Sequence, residues 1–369
     1  LAMPLPSLPA TRRHALRLLA AGTATSAIPR VFAAPAKPVR YILTIPTLSV
    51  IVANQTSIPK ALGYYDQEGV RVEPVLAGAA GIAGATQLVA TGSQDIGSGS
   101  HTPMMARAAQ GQDLGVSFFY LQVRSFPVEI AVLSDHPARS LLDLKGKLIG
   151  VPTLGNEGVV MSRFAARELG MNPETDLRLI AVGAGAQAGQ ALRSRQVDAY
   201  VAPRSQITQI EGLGLSMRAL PSSSRFKDLF GPGLFARRDY IKKNRATVVG
   251  VARAVAKSTI FLMNNPEAAI RLHWKTHAEQ VPQGIPEDKA IAEGLRVLRT
   301  QIETLRVDEQ GPASQFGYYR PLSVAALLDV FGWNSVQNPS DYFTNDLIAE
   351  INAFDRKAVA EQARSFKLG

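Results

Sequence analysis

Within a dozen residues, Leu62-Gly63-Tyr64-Tyr65-Asp66-Gln67-Glu68-Gly69-Val70-Arg71-Val72-Glu73, the chain has to end a helix, turn and start a strand. Gly63 stands where a C-cap glycine closes a helix. Gly69 stands where a tight reversal needs a residue free of Cβ strain. Alternation then begins, with Val70, Val72 and Val75 apolar and Arg71 and Glu73 polar between them. A helix feeding a strand through a glycine turn is the joint of an α/β protein, and the rest of the chain repeats it.

Val39 to Ile45 reads as a first strand, followed by a loop at Pro46-Thr47-Leu48-Ser49 with Ser49 as a helix cap. After the second strand, to Leu76, the run Gly78 to Gly84 leads into a helix ending near Thr91. Ile96 to Gly99 is a strand, and Thr102-Pro103 opens a helix with cap and N1 proline in order. Strands follow at 114–121, 128–133, 148–151, 177–182 and 199–202, with helices at 159–169 and after Gly183, and Leu215 to Leu220 and Leu234 to Arg237 bracket a polar segment. Strands alternating with helices predict parallel sheets covered by helices. Ser93-Gln94-Asp95 turns into Ile96 much as Arg195-Gln196-Val197-Asp198 turns into Ala199, a weak internal repeat. It predicts two similar α/β lobes, with the aspartates as turn caps. Crossings are expected near Asp135-His136-Pro137 and Pro221-Ser222-Ser223-Ser224. Lobe one then takes residues 38–134 and 222–369, and lobe two takes 135–221. From Arg245 onward the spacing is helical to Asn264-Asn265-Pro266, with further helices near 267–275, 287–305, 322–331 and 344–363.

A chain of 369 residues exceeds the usual single-domain length, so two lobes are also expected from size. Apolar residues at 46% and charged residues at 19% describe a globular protein. The net charge of +10 includes Arg12, Arg13, Arg17 and Arg30 in an acid-free beginning; without the first 36 residues, 36 basic residues face 30 acidic ones. With no dense basic block interleaved with aromatics, nucleic-acid binding is not expected. The absence of cysteine excludes disulfides, thiolate nucleophiles and Cys-ligated zinc. Five histidines without metal-site spacing predict no metal centre. Gly183-x-Gly185-x-x-x-Gly189 follows a strand, but the next strand ends in Ala202-Pro203 without an acid to bind a ribose, so no cofactor is expected.

Thr11-Arg12-Arg13-His14-Ala15-Leu16-Arg17-Leu18-Leu19, a moderately apolar run to Ile28 and Ala33-Ala34-Pro35-Ala36 make residues 1–36 an expected export signal. The adjacent arginines resemble the twin-arginine type. No later run reaches the ~18 apolar residues of a membrane span, so the mature protein is expected to be soluble and periplasmic.

Several blocks, in order, carry a resemblance. They are Ala61 through Tyr65 with Gly69 through Glu73, Gly92-Ser93-Gln94-Asp95-Ile96-Gly97, and Met105 through Gly111. They continue with Leu141 through Pro152, Gln196-Val197-Asp198-Ala199, and Asn264-Asn265-Pro266-Glu267-Ala268-Ala269. Over residues 40–275 the chain resembles the periplasmic substrate-binding proteins of ABC importers of the nitrate/sulfonate/taurine type, close to the thiamine-pyrimidine-synthesis-like group. The resemblance implies a type II periplasmic-binding fold with a hinge, and a monomer that captures a small molecule and passes it to a membrane permease. Enzymes on this fold, such as pyrimidine synthases and desulfinases, are implied by the same resemblance to use cysteines, which this chain lacks. Arg195 stands where many relatives have glycine, and Ala202 where many have an aromatic residue before the proline.

Ligands of open parallel sheets sit outside the carboxyl ends of the strands. The expected contacts are therefore Thr47, Ser49, Gly78, Ser100, His101, Thr102, Gln122 and Arg124 in lobe one. In lobe two they are Gly155, Asn156, Glu157, Gly183, Pro203 and Arg204, and no residue is expected to be catalytic. Helix N-termini favour an anionic group. Arg124 and Arg204 lead as its partners, a sulfonate or carboxylate being matched by a guanidinium fork; the alternative for each is a solvated surface charge. His101 is placed either to bond the ligand or to cap its loop. Tyr64 and Tyr65 are expected to be packing residues opposite the cleft.

Overall fold

The computed structural model describes residues 38–45, 47–125 and 128–368. The expected export signal lies outside the described residues. The first half runs β1 (Val39–Leu43), α1 (Ser57–Ala61), α2 (Tyr64–Gln67), β2 (Val72–Leu76), α3 (Gly81–Ala90), β3 (Ile96–Gly99), α4 (Thr102–Ala108), β4 (Val116–Leu121) and β5 (Val128–Leu133). Then come β6 (Leu148–Val151), α5 (Glu157–Glu168), β7 (Arg178–Ala181), α6 (Ala186–Arg193), β8 (Ala199–Pro203), α7 (Arg204–Gly212), β9 (Met217–Ala219) and β10 (Gly233–Arg237). The remainder is helical: α8 (Arg238–Lys243), α9 (Arg245–Asn264), α10 (Pro266–Thr276), α11 (Glu287–Leu305), α12 (Pro321–Phe331), α13 (Ile348–Ile351) and α14 (Arg356–Ser365).

Two five-stranded sheets form, ordered β2-β1-β3-β10-β4 and β7-β6-β8-β5-β9. Each contains one strand that runs against its neighbours. β10, the first strand after the chain returns to the first sheet, is antiparallel to β3 and β4; β5, the first after it leaves, is antiparallel to β8 and β9. The sequence reading places Val128–Leu133 with the first lobe. Those residues instead pair across Val128↔Pro203 to Ala131↔Tyr200 in the second sheet, because an apolar strand carries no local mark of which sheet it joins.

The repeated aspartates act alike in both halves. Asp95 accepts the Arg40 backbone N–H at 2.9 Å while its own N–H donates to Arg40 O at 2.9 Å. Asp198 accepts from Leu148 N–H at 3.2 Å and donates to Leu148 O at 2.8 Å. Each carboxylate thus locks its turn to the start of the strand beside it, a longer-range tie than the turn cap expected from sequence.

Three local readings change. α7 has no counterpart among the expected helices, because its apolar positions, Ile207 and Ile210, are few among Ser, Gln and Thr. The helix expected at 344–363 is two: Asn352 breaks it by bonding both Phe316 N–H and Phe316 O at 2.9 Å, and Asp355 recaps it at Lys357 and Ala358 N–H. At α4 the N-cap is His101, with Thr102 already helical. α9 is long and apolar enough to pass a membrane-span test by length and composition, yet most of it is buried in the core, as expected of a helix that is hydrophobic all round.

The opening stretch behaves as read at its glycines, with Gly63 and Gly69 both at φ 66°, but the residues between them form α2 instead of a plain turn. Tyr64 and Tyr65 are buried, and the Tyr65 hydroxyl donates to Gln55 O at 2.7 Å. Arg195 holds φ 59° at the end of α6, a left-handed conformation that costs an L-residue roughly 1–2 kcal/mol. Its exposed ion pair with Asp135, at 2.7 Å, returns little in solvent. Arg195→Gly is therefore expected to raise stability by about 1 kcal/mol in urea unfolding; a loss of stability would show that the ion pair outweighs the backbone strain.

Candidate functional site

A cleft of about 160 Å³ opens between the two sheets. On the first sheet its wall is the carboxyl end of β1 with Thr44 and Ile45, Ser98 and Gly99 of β3, and Gln122 and Val123 just past β4. On the second sheet it is Pro203, at the end of β8, and the first residues of α7, Arg204, Ser205 and Gln206. Asn54 and Gln55 contribute from the segment before α1, and Thr300, Gln301 and Thr304 from the last turns of α11. Strand ends and a helix start converge here, as the topology of such sheets requires. α11 comes from far along the chain, and it meets α7 so closely that a Cβ on Gly212 would strike Glu293 and Arg296.

The first-sheet wall is a chain of buried polar contacts. Tyr41 hydroxyl donates to Gln55 Oε1 at 2.6 Å, and burial pushes that phenol well above its ordinary range. Ser98 hydroxyl donates to Gln122 Oε1 at 3.0 Å, which leaves Gln122 Nε2 buried without a partner. Asn54 Nδ2 donates to Thr259 Oγ1 at 3.0 Å, and Asn54 Oδ1 is likewise buried and unpartnered. An unpaired buried polar atom costs about 1–3 kcal/mol, so these two are points of strain beneath the wall.

Of the residues expected from sequence, Gln122, Pro203 and Arg204 line this cleft. Arg204 is not free: its guanidinium contacts Glu129 at 3.2 Å and Glu211 at 3.0 Å. Arg124 points elsewhere, its side chain buried against Asp308 at 3.6 Å, and desolvation followed by the charge of Arg320 pulls its pKa down. Its backbone N–H donates to Thr304 O at 2.8 Å, so it helps hold the cleft wall from behind. Thr47 is exposed, and Ser49 precedes a short 3-10 turn at Val50–Val52 without capping it through its side chain. Neither lies on the wall, nor does Gly78, which starts another such turn at Gly78–Ala80 with φ 54°.

Ser100, His101 and Thr102 lie behind the wall. His101 is fully enclosed by Phe118, Phe230, Phe331, Trp333 and Phe343, with ring centroids 5.1–6.4 Å away. Both its ring nitrogens lack partners, and burial pushes its pKa down to about 3. Its ring does not line the cleft, and although its backbone is the N-cap of α4 its side chain makes no capping bond: it is a neutral ring in an aromatic cage. Ser100 hydroxyl donates to Thr102 Oγ1 at 3.0 Å. Buried Glu157, at the start of α5, is raised by desolvation, with the hydroxyls of Ser100 and Thr102 and its own backbone acting against that shift. Asn156 caps α5 through Gly158 N–H at 2.8 Å, next to Gly155. Gly183, at φ 76°, accepts the Tyr200 hydroxyl at 2.8 Å. These residues fasten loops together and do not line the wall.

Asn54, Gln55, Ser98 and the polar turn of α11 escape a sequence reading centred on loops and arginines. Their trace was present: Asn54-Gln55-Thr56-Ser57 is a polar run between apolar Val50–Val52 and Ile58, and every member is buried.

Two five-stranded sheets of mixed topology with a cleft between them define the two-lobed fold of periplasmic binding proteins. Comparison with known proteins agrees. The chain belongs to the NMT1/THI5-like family, which it matches over residues 56–269. No curated protein matches the sequence. Among solved structures, a protein from Bordetella bronchiseptica RB50 superposes with a TM-score of 0.66 at 22% identity, over 86% of this chain and 97% of that one. The periplasmic aliphatic sulphonate binding protein SsuA from Escherichia coli gives 0.60 at 18% identity, over 80% and 85%. The periplasmic nitrate-binding protein NrtA from Synechocystis PCC 6803 gives 0.54 at 15% identity, over 90% and 89%.

Proposed function

We propose that this protein is a periplasmic solute-binding protein that captures one small molecule between its lobes and delivers it, as a monomer, to the permease of an ABC importer. The lobes are the regions around the two sheets, and the hinge is the pair of connections between β4 and β5 and between β9 and β10. The observation that carries this reading is the cleft, whose wall is assembled from the strand ends of both sheets and from buried amides and hydroxyls. Closing the lobes over a ligand would pair those groups. Capture is favoured over catalysis because, among the described residues, the wall has no histidine, lysine or carboxylate to move a proton, and the chain has no cysteine.

The test is native mass spectrometry, thermal melting and small-angle scattering of protein purified without refolding, against a library of sulfonates, carboxylates, amides and heterocycles. One compound is expected to bind one-to-one, shrink the particle and, at 100 times its Kd, stabilise the fold by about 2.7 kcal/mol. Silence across the whole library would overturn the proposal.

A further inference from the structure

The charge and hydrogen-bond sense of the cleft say what it accepts. Arg204 is the one charged residue on the wall among those described, and it belongs to a network: Glu211 also faces Arg296 at 3.6 Å, which contacts Glu293 at 2.7 Å. With Glu129, three carboxylates surround two guanidinium groups. The local balance is negative, so an entering anion meets no spare positive side chain, and a desolvated anion without a counter-charge is strongly disfavoured. The start of α7 offers only the partial charge of a helix end.

The amides give the complementary pattern. Thr259 hydroxyl donates to Val255 O at 2.9 Å, so toward Asn54 it acts only as an acceptor. Asn54, a wall residue, must then turn its Nδ2 to Thr259, which leaves its carbonyl oxygen buried and unpaired. Gln122, also a wall residue, spends its carbonyl on Ser98, and its N–H group is buried beside the Tyr41 hydroxyl without an acceptor in hydrogen-bond range. Gln55 spends its carbonyl on Tyr41 in the same way. The wall therefore asks for a donor at Asn54 and an acceptor at Gln122. A sulfonate or carboxylate head supplies acceptors alone and leaves Asn54 facing like-signed oxygen. A volume of about 160 Å³ is close to that of a cavity that takes a benzene-sized molecule.

We infer that the cleft selects an uncharged ligand of about one-ring size carrying a hydrogen-bond donor beside a carbonyl acceptor, the chemistry of a carboxamide or lactam. This rests on reading the cleft as the solute site. Gln122 donates to the ligand carbonyl and Asn54 accepts its N–H.

The experiment compares benzamide and 2-piperidone with benzoate and benzenesulfonate, by calorimetry on the full chain. The two amides are expected to bind at least tenfold tighter than either anion. Gln122→Glu keeps the acceptor that Ser98 uses and replaces the donor with a second acceptor; it is expected to weaken amide binding at least tenfold. Gln122→Met, which removes the donor without adding charge, is expected to weaken it similarly, and circular dichroism confirms that each variant is folded. Benzoate or benzenesulfonate binding as tightly as benzamide would overturn the inference. So would unchanged amide affinity in a folded Gln122 variant. Binding confined to other library compounds also overturns it while leaving solute capture standing, whereas silence across the library removes solute capture itself.

Discussion

Lowering the pH from 7.5 to 5 is expected to remove about 4 kcal/mol of folding stability, because two histidines are buried as neutral rings. His101 sits in its aromatic cage with a pKa pushed down to about 3. His273 is fully buried and pushed down to about 4, first by desolvation. Its Nε2–H donates to Leu48 O at 2.6 Å, its Nδ1 accepts from Ser57 hydroxyl at 2.9 Å, and the His277 ring lies 4.8 Å away. In the unfolded chain both titrate near 6.5. Above that pH neither state holds the proton, and stability is at its full value. Below it the unfolded chain takes up two protons that the folded chain refuses, so stability falls by up to about 2.7 kcal/mol per pH unit. The window ends near pH 5, since Glu157, whose folded pKa is raised, acts in the opposite sense as carboxylates begin to titrate. Urea unfolding across this range measures the slope, and His273→Gln should roughly halve it. A flat profile would show that one or both rings are reachable by protons in the folded state. Because His273 holds Leu48 and α1 around the segment that supplies Asn54 and Gln55, acid is also expected to loosen the cleft before the rest of the fold.

Removing the carboxylate of Glu68 should cost about 3 kcal/mol, the loss expected when one partner of a buried ion cluster is deleted. Glu68 closes α2, and its side chain, 9% exposed, meets Arg253 and Lys257 of α9 at 2.7 Å each. One carboxylate thus bridges two cations on the central helix of the core. Glu68→Gln keeps the shape but takes from both cations the carboxylate they share. The chemical-denaturation midpoint of Glu68→Gln should therefore drop clearly, and adding Lys257→Met to it should restore part of the loss. An unchanged midpoint would mean that water already screens the cluster. The contact also explains why the Leu62–Glu73 stretch matters to this chain: its glycines set the turn, and Glu68 nails that turn to α9.

What could be read from sequence was whatever periodicity and punctuation report locally. Gly63, Gly69 and the paired turns at Asp95 and Asp198 announced helix ends and strand starts, and the structure places them so. α7 was invisible for the converse reason, since a short helix rich in Ser, Gln and Thr has too few apolar positions to declare a period. The sheet to which β5 belongs was equally hidden, because strand pairing is a non-local choice. At the cleft, reasoning from strand order names Gln122, Pro203 and Arg204, which line it at strand ends or just beyond them. Arg124 and His101, named with them, do not line it, since position in the chain does not say which way a side chain turns.

By itself, the sequence determined an α/β chain with two similar halves, because hydrophobic spacing and glycine turns act between near neighbours and need no knowledge of the whole. Only the tertiary structure decided the make-up of the cleft. Asn54, Gln122, Gln206 and Thr304 come together because α7 and α11 pack across the two sheets, and the charge of Arg204 is cancelled by carboxylates from β5 and α7 that lie 75 and 7 positions from it. Hydrogen-bond sense and charge balance are sums over partners distant in the chain, so they exist only once the chain has folded.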